Sequence, residues 1–303
     1  MKILITGANS YIGTSFECYL RENYPNDYVI ETLDMIDANW KNYDFSNYDT
    51  VFHVAGIAHA DVGNVSKETE KLYYQVNCDL AYETALKAKE ANVKQFIYMS
   101  SIIVYGESAP YGKTKVITKD TRPLPANFYG DSKLQAEIKL SPLQDDSFNI
   151  AIIRPPMIYG KGSKGNYPML SKLAKKLPVF PKISNQRSML YIENLCEFIR
   201  LLIKNNSHGT FYPQNKEYAS TTMIVKTINP KIKTLGLLNL GVFISSKIPG
   251  KISGLCNKAF GNLVYDKTMS IYDEEYCRYD LEESIKKTEG NKSVSYTHLT
   301  LPT

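Results

Sequence analysis

The sequence predicts an α/β fold: a doubly wound parallel sheet with helices on both faces, followed by a smaller mixed α/β lobe. Two observations carry that expectation. Short apolar runs alternate with longer helical patterns from residue 2 to residue 153, and a glycine turn joins the first run to the first helix. Strands separated by helices at this spacing build βαβ units, and their right-handed crossovers place helices on both faces of one sheet.

The elements follow in order. Lys2 to Thr6 reads as a strand and Tyr11 to Asn23 as a helix, with TGANSYIG (residues 6–13) between them. Gly7 makes the turn, and Gly13 lets the helix lie close to the strand. Ser10 stands where a middle glycine is usual in a dinucleotide-binding turn. Its hydroxyl suits the N-cap of the helix beginning at Tyr11, with its own amide expected to face a phosphate, and the cost is a Cβ where the pyrophosphate comes closest. Tyr28 to Leu33 is the second strand. The link from Asp34 to Asp49 is short, so an abbreviated helix is expected there. Strands at Thr50 to Ala55, Gln95 to Ser100 and Asn149 to Ile153 alternate with helices at Ser66 to Ala91 and Tyr129 to Leu140. RPPMIYGKGSKGNYP (residues 154–168) is a glycine- and proline-rich loop of the length that carries function. A helix at Ile192 to Ile203 is expected to pack back on the sheet. The division is therefore a dinucleotide-binding domain at 1–155, with 188–204 returning to it, and a substrate lobe from 156–187 and 205–292. Leu235 to Ser245, the longest apolar stretch, is too short to span a bilayer and reads as a buried or interfacial helix.

Composition narrows the class. Of 303 residues, 43% are hydrophobic and 22% charged, as in ordinary folded proteins. The net charge of +5 is spread along the chain, densest at Lys172, Lys175 and Lys176, which reads as a solvated helix face and gives no reason to expect nucleic acid as a partner. Cys18, Cys78, Cys196, Cys256 and Cys277 lie far apart with no CxxC or Cys/His spacing, so neither a metal site nor a disulfide framework is expected. With no basic-then-apolar leader, a cytoplasmic protein with no membrane partner is expected. The last ten residues, VSYTHLTLPT from Val294, resemble the translation of a transposon-end sequencing adapter. Residues 293–303 are accordingly read as a non-native tail, with the true C-terminus missing.

Three segments carry chemistry. The glycine turn and the N-terminus of its helix present amides and a positive dipole end to a pyrophosphate. Asp34, about 20 residues further on, is placed to bind a ribose 2′-OH, which favours NAD over its 2′-phosphorylated form. In Tyr129-Gly130-Asp131-Ser132-Lys133 a phenol and an ammonium sit at i and i+4 on one helix face, so that the ammonium and an oxidised nicotinamide favour phenolate. FIYMSSIIVYG (Phe96 to Gly106) delivers Ser100 and Ser101 to a strand's C-terminal end, where ligands collect in parallel sheets.

Together these segments resemble the extended short-chain dehydrogenase/reductase superfamily, in its nucleotide-sugar epimerase/dehydratase branch. TGANSYIG, VFHVAG (Val51 to Gly56), Asn77 before a long helix, FIYMSSIIVYG, YGDSK, IIRPPMIYG (Ile152 to Gly160) and RSMLYIENL (Arg187 to Leu195) occur in that family's order. The resemblance implies a Rossmann-type fold and NAD. It makes Ser101 the substrate-orienting hydroxyl, Tyr129 the proton-transfer group and Lys133 the residue that holds the nicotinamide ribose. It places Gly7, Asn9, Ser10, Tyr11, Ile12, Gly13, Asp34, Asn77, Tyr129 and Lys133 at the cofactor. Ala55, Gly56 and Ile57 would lie along it, Asp44 and Phe45 near the adenine and Pro155 beside the nicotinamide. Arg187 would grip the diphosphate of a nucleotide sugar, with Asn166 on the same ligand. Ile102 and Ile103 replace the acid pair that 4,6-dehydratases carry there, so dehydration is not expected. UDP-glucose 4-epimerase-like chemistry is favoured, with a 4-keto-sugar reductase and a non-catalytic NAD-binding protein as alternatives. The resemblance also implies a homodimer formed through the helices at 66–91 and 129–140.

Overall fold

A computed structural model of the chain describes residues 1–36, 38–58, 65–248 and 250–290. The residues set aside as a tail lie outside it. In chain order the first half comprises β1 (Lys2–Thr6), α1 (Tyr11–Asn23), β2 (Val29–Leu33), β3 (Thr50–His53), α2 (Lys67–Tyr74), α3 (Leu80–Glu90), β4 (Gln95–Met99), β5 (Val116–Ile117), α4 (Phe128–Leu140) and β6 (Asn149–Ile153). A single 3₁₀ turn at Ala38–Asn42 replaces a full helix between β2 and β3, the abbreviation expected from that short link. The second half comprises β7 (Met157–Tyr159), α5 (Asn166–Lys176), β8 (Val179–Pro181), β9 (Met189–Tyr191), α6 (Ile192–Lys204), β10 (Gly209–Phe211), α7 (Thr221–Ile228), β11 (Lys233–Leu235), α8 (Leu238–Lys247), α9 (Lys251–Phe260), β12 (Val264–Tyr265) and α10 (Leu281–Thr288).

The central sheet has the order β10-β6-β4-β3-β1-β2, every neighbouring pair parallel. Strand side chains alternate between faces, and the sequence fills both with apolar residues. Ile3, Ile5, Phe52, Ile97 and Ile153 pack with Phe16 and Leu20 of α1 and with α6, while Leu4, Val51, Phe96, Tyr98 and Ile152 pack with Ala81 and Ala85 of α3 and Ala136 of α4. The helix read from the 192–203 pattern is α6. It lies beside α1, with all but Glu193 and Lys204 of its thirteen residues buried. Its Glu197, in a buried position, accepts from Tyr19 Oη (2.9 Å), Arg200 Nε (2.8 Å) and Arg278 Nη2 (2.6 Å), tying α1, α6 and the stretch before α10 together.

The structure departs from the expectations at three places. The helix expected at 66–91 is continuous but not uniform. Between α2 and α3 lies a π turn, Gln75–Asp79, in which the Leu80 amide reaches the Gln75 carbonyl five residues back. Residues 209–211, drawn inside the substrate lobe, pair with Ala151–Ile153 as β10 and so belong to the central sheet. A three-residue strand carries too little pattern to be seen in sequence. Finally, of the two readings of Leu235 to Ser245, buried or interfacial, the buried one does not hold: the stretch takes in the last residue of β11 and most of α8, and no residue of α8 is buried. The rest of the second half is joined by two-stranded parallel pairs, β5 with β12, β7 with β9 and β8 with β11.

Candidate active site

The phosphate turn is built as a close approach of three backbones. Gly7 has φ +101°, and a Cβ there would lie 2.6 Å from the Ala55 amide nitrogen, so only glycine fits between β1 and the segment after β3. Its amide and that of Ala8 both donate to the Leu33 carbonyl (2.9 and 3.2 Å), which hooks the turn onto the end of β2 beside Asp34. Asn9, exposed, takes the left-handed conformation at φ 63°. A Cβ on Gly13 would stand 3.1 Å from both Ile5 and Val54, which holds Tyr11, Ile12 and the rest of the first turn against the sheet. Ser10 is the N-cap of α1, its Oγ accepting from the Gly13 amide at 3.1 Å. Its own amide, expected to face a phosphate, is instead committed to the Gly7 carbonyl at 3.2 Å. The turn closes on itself there, so its free donors lie elsewhere.

Two buried hydroxyls beside this turn have no hydrogen-bond partner among the described residues: Tyr11 Oη and Ser163 Oγ. The loop after β7 brings them near one another, since a Cβ on Gly160 would lie 2.7 Å from Tyr11 Oη and the Ser163 amide bonds the Gly160 carbonyl at 3.1 Å. Buried hydroxyls are almost always paired, so an open pair beside a helix N-terminus fits a polar ligand such as a dinucleotide. Asp34 is exposed, with Oδ1 held by the Ile36 amide (2.9 Å). Asp44 is exposed and closes a local turn on Ser46. Phe45 does not present its ring to a ligand: it is 1% exposed, with Lys87 Nζ 5.2 Å above it. An aromatic residue in a short link reads the same in sequence whether it faces core or cleft.

The residues expected to move a proton lie where α4 meets the end of β4. Asn127 caps α4, accepting from the Gly130 amide at 3.0 Å, and a Cβ on Gly130 would stand 2.8 Å from the Ile103 carbonyl. This contact seats Tyr129 against the turn that follows Ser101. Ser101 caps the 3₁₀ turn Ile102–Tyr105 and its hydroxyl faces the Tyr129 phenol. Burial pushes Tyr129 up to about 12, the Ser101 hydroxyl works in the opposite direction, and Tyr73, whose ring meets it edge-on, pushes it further up. One turn on, Lys133 is 6% exposed, donates to the Met99 carbonyl at 2.9 Å, and is lowered by burial to about 8, with Glu137 opposing the fall. Gly56 leaves room for it: a Cβ there would be 3.1 Å from Lys133 Nζ and 3.0 Å from Asn77 Oδ1.

Asn77, fully buried, stands behind this surface. Its Oδ1 accepts from the Ile57 amide (2.8 Å), and its Nδ2 donates to the Ile57 carbonyl and to Ser132 Oγ (both 3.1 Å). It thus fixes the Ala55-Gly56-Ile57 segment against α4, with its side-chain donors and acceptor already engaged. Pro155 is buried, and its carbonyl accepts from the Ile102 amide at 2.9 Å.

Sequence reasoning missed what lies beneath. Glu137 receives Arg154 Nε at 3.0 and 3.1 Å, bonds Ser100 Oγ and a second guanidinium nitrogen of Arg154, and is 4% exposed. Arg154 also donates to Tyr105 Oη at 2.6 Å. This cluster engages Ser100 and leaves Ser101 as the serine facing Tyr129. The available signal was the second i, i+4 step, from Lys133 to Glu137, which on a helix reads as a solvated ion pair.

On the substrate side, Arg187 lies in the bridge between Ala219 and Leu263 and donates Nη2 to Ser108 Oγ at 3.1 Å. Burial lowers it to about 10, and no carboxylate pairs with it among the described residues. A guanidinium desolvated without an anion is suited to receive one. Asn166 is exposed in the first turn of α5, and no hydrogen bond joins its side chain to Arg187.

A family model, the NAD dependent epimerase/dehydratase family, matches residues 3–212. The chain belongs to that family. Members of the NAD dependent epimerase/dehydratase family similar to it include UDP-glucose 4-epimerase of Vibrio cholerae, 33% identical over 218 residues, an overlap that covers 65% of this chain and 65% of that protein. N-acetyl-alpha-D-glucosaminyl-diphospho-ditrans,octacis-undecaprenol 4-epimerase of Escherichia coli O157:H7 is 30% identical over 325 residues, covering 94% of this chain and 93% of that one. Of solved structures, UDP-glucuronic acid 4-epimerase from Bacillus cereus in complex with NAD has a TM-score of 0.67 at 20% identity, over 95% of this chain and 97% of the other. That likeness shows the fold, which epimerases and reductases share. The chain is an enzyme of this NAD-dependent class.

Proposed function

We propose that the chain is a nucleotide-sugar 4-epimerase of the UDP-glucose/UDP-galactose type. The observation that carries this reading is the Ser101–Tyr129 pair with Lys133 buried one helical turn away, followed by two isoleucines instead of proton carriers. When bound, NAD⁺ supplies the hydride acceptor for sugar C4. Tyr129 takes the proton of the 4-OH, and Ser101 supports the carbonyl oxygen that develops. Lys133, as the ammonium, favours the ionised phenol and is placed to hold a ribose hydroxyl. Ile102 and Ile103 cannot move a proton, which supports return of the hydride to the other face of the 4-keto sugar over loss of water. Arg187 would hold the diphosphate and Asn166 a neighbouring group of the same ligand. Asp34 would take the adenosine ribose, with Asn9, Tyr11 and Ile12 along the pyrophosphate. A homodimer through α2, α3 and α4 belongs to the same reading; Leu72 and Ile138 lie exposed there.

A second reading changes only the diphosphate's carrier. The Escherichia coli relative, matched over nearly its whole length, is named for a sugar on undecaprenyl diphosphate, and Arg187 would serve either carrier. Incubation with UDP-galactose without added cofactor tests the proposal: UDP-glucose is the expected product, and Tyr129→Phe is expected to lose about 10²–10⁴-fold in kcat. NADH consumed in step with a 4-keto nucleotide sugar, with no epimerisation, would instead make it a reductase. No turnover of the UDP-sugar, but turnover of the polyprenyl-linked one, would select the second carrier.

A further inference from the structure

Residues 218–265 hold six lysines (226, 231, 233, 247, 251 and 258) and neither aspartate nor glutamate. One segment thus carries more positive charge than the net +5 of the whole chain, and the remainder is close to neutral. Within it, α8 and α9 pack on each other as a hairpin with an apolar outer surface. Leu237, Leu240, Phe243, Ile244, Ile252 and Leu255 are 48–83% exposed. Leu237, Leu240 and Ile244 recur at helical spacing and form one stripe. Lys247 Nζ lies 5.5 Å over the Phe243 ring, and Lys258 is exposed on α9.

The hairpin is tethered on its inner side. Asn239 Nδ2 donates to the Lys182 carbonyl (2.7 Å), the Phe260 ring meets Phe180 at 6.1 Å, and Asn257 Oδ1 accepts from the Tyr111 amide (3.0 Å). A Cβ on Gly261, just past α9, would lie 3.2 Å from Ser108, the residue that receives Arg187. The end of the hairpin therefore meets the residue that holds the Arg187 guanidinium.

We propose that the α8–α9 hairpin is a docking surface for an anionic lipid bilayer. A concentrated exposed apolar patch is unfavourable in water unless something covers it. A helical hairpin with an apolar outer face and a lysine at the end of α8 and on α9 suits the headgroup boundary, and no described helix is long and apolar enough to cross the membrane. The charge selects the occupant, because two copies of an acid-free, lysine-rich surface repel each other whereas anionic headgroups neutralise it. Docked this way, the Arg187 side of the lobe lies near the membrane surface, within reach of a diphosphate headgroup. The proposal stands on the patch alone and holds for either carrier of the sugar.

The test is co-sedimentation of the full chain with vesicles of phosphatidylcholine alone or mixed with phosphatidylglycerol. The expected result is a partition coefficient at least about tenfold higher on the anionic vesicles, falling with added salt. Leu240→Glu/Phe243→Glu is expected to remove binding to both, and Lys247→Glu/Lys258→Glu to remove the anionic preference while circular dichroism stays unchanged. Equal partition on both vesicle types, or a lysine-pair variant that binds as the parent does, overturns the proposal even if the apolar pair fails to fold. It is equally overturned if the parent binds no vesicle and sediments as a dimer that the lysine-pair variant alters. Since the readout is partition, its failure leaves the catalytic reading untouched.

Discussion

Glu137 and Glu197 are both buried carboxylates gripped by arginine, at 4% and 2% exposure, yet they serve different ends. Glu137 acts within its own neighbourhood: it bonds Arg154 just past β6 and Ser100 just past β4, and its charge acts on Lys133 one turn before it on α4. Glu197 reaches across the chain, to Tyr19 on α1 and to Arg278 before α10. The first orders the surface proposed to be catalytic and the second closes the fold. A buried ion pair has no fixed meaning; what its neighbours touch decides whether losing it costs activity or stability.

The largest expected effect is on the fold. Glu197→Ala leaves two guanidinium groups facing an empty buried site and is expected to lose about 3–5 kcal/mol in chemical denaturation, while the folded fraction turns over as the parent does. A loss below 1 kcal/mol would remove the contrast. The same carboxyl is raised by burial but held down overall to about 2 by bonds from Arg200, Arg278 and Tyr19. Its unfolded value is near ~4.3, so its stabilisation is complete above that pH and is lost as pH falls toward 2. An acid-unfolding midpoint that Glu197→Gln does not move would contradict this.

Glu137→Gln is expected to cost less stability, about 1–3 kcal/mol, because the amide keeps the shape and some hydrogen bonds. It should instead lower the Lys133 titration further by removing the charge that opposes its fall, shifting the alkaline limb of kcat against pH to lower pH. An unmoved limb with normal stability would assign Glu137 to structure alone. Lys133 itself gives a linkage of the same direction as Glu197 in a higher pH window, but from the opposite cause: burial disfavours the charged form of Lys133, whereas the bonds to Glu197 favour the charged form of that carboxyl. Its folded value of about 8 lies below the unfolded ~10.4, so the unfolded chain binds more protons between those values and stability rises with pH across that window. The difference in Tm between parent and Lys133→Met should grow in the parent's favour from pH 8 to pH 10. The smallest effect belongs to the phosphate turn: Ser10→Ala is expected to cost about 1 kcal/mol from the lost cap on Gly13. Measured NAD affinity then separates cap from cradle, since the Ser10 amide is occupied by Gly7.

The contrast also marks where sequence was legible. β1, α1 and β6 match their expected bounds because each is specified by local periodicity. That Ser101, Tyr129 and Lys133 come together could be read because they sit at one strand end and at fixed spacing on one helix face. Glu137 and Arg154 could not, because their meaning is tertiary: 17 residues apart, they meet only after β6 lies beside β4. That the Phe45 ring faces the core could not be read for the same reason, and the α8 stretch stayed open between buried and interfacial because an apolar run declares hydrophobicity without declaring what covers it.

The π turn between α2 and α3 has a consequence for length. It gives the helix one residue more than α pitch requires, in the way an insertion would, and that residue sets two faces out of phase. On one side Asn77 is turned to Ile57 and Ser132; on the other Ala81, Ala85 and Ala88 stay in the core. Deleting any residue from 75 to 79 would restore ordinary pitch and rotate one face against the other by about 100°. Either Asn77 would leave the segment it braces or α3 would turn its alanines out of the core, so the length of this stretch is as fixed as the identity of Asn77.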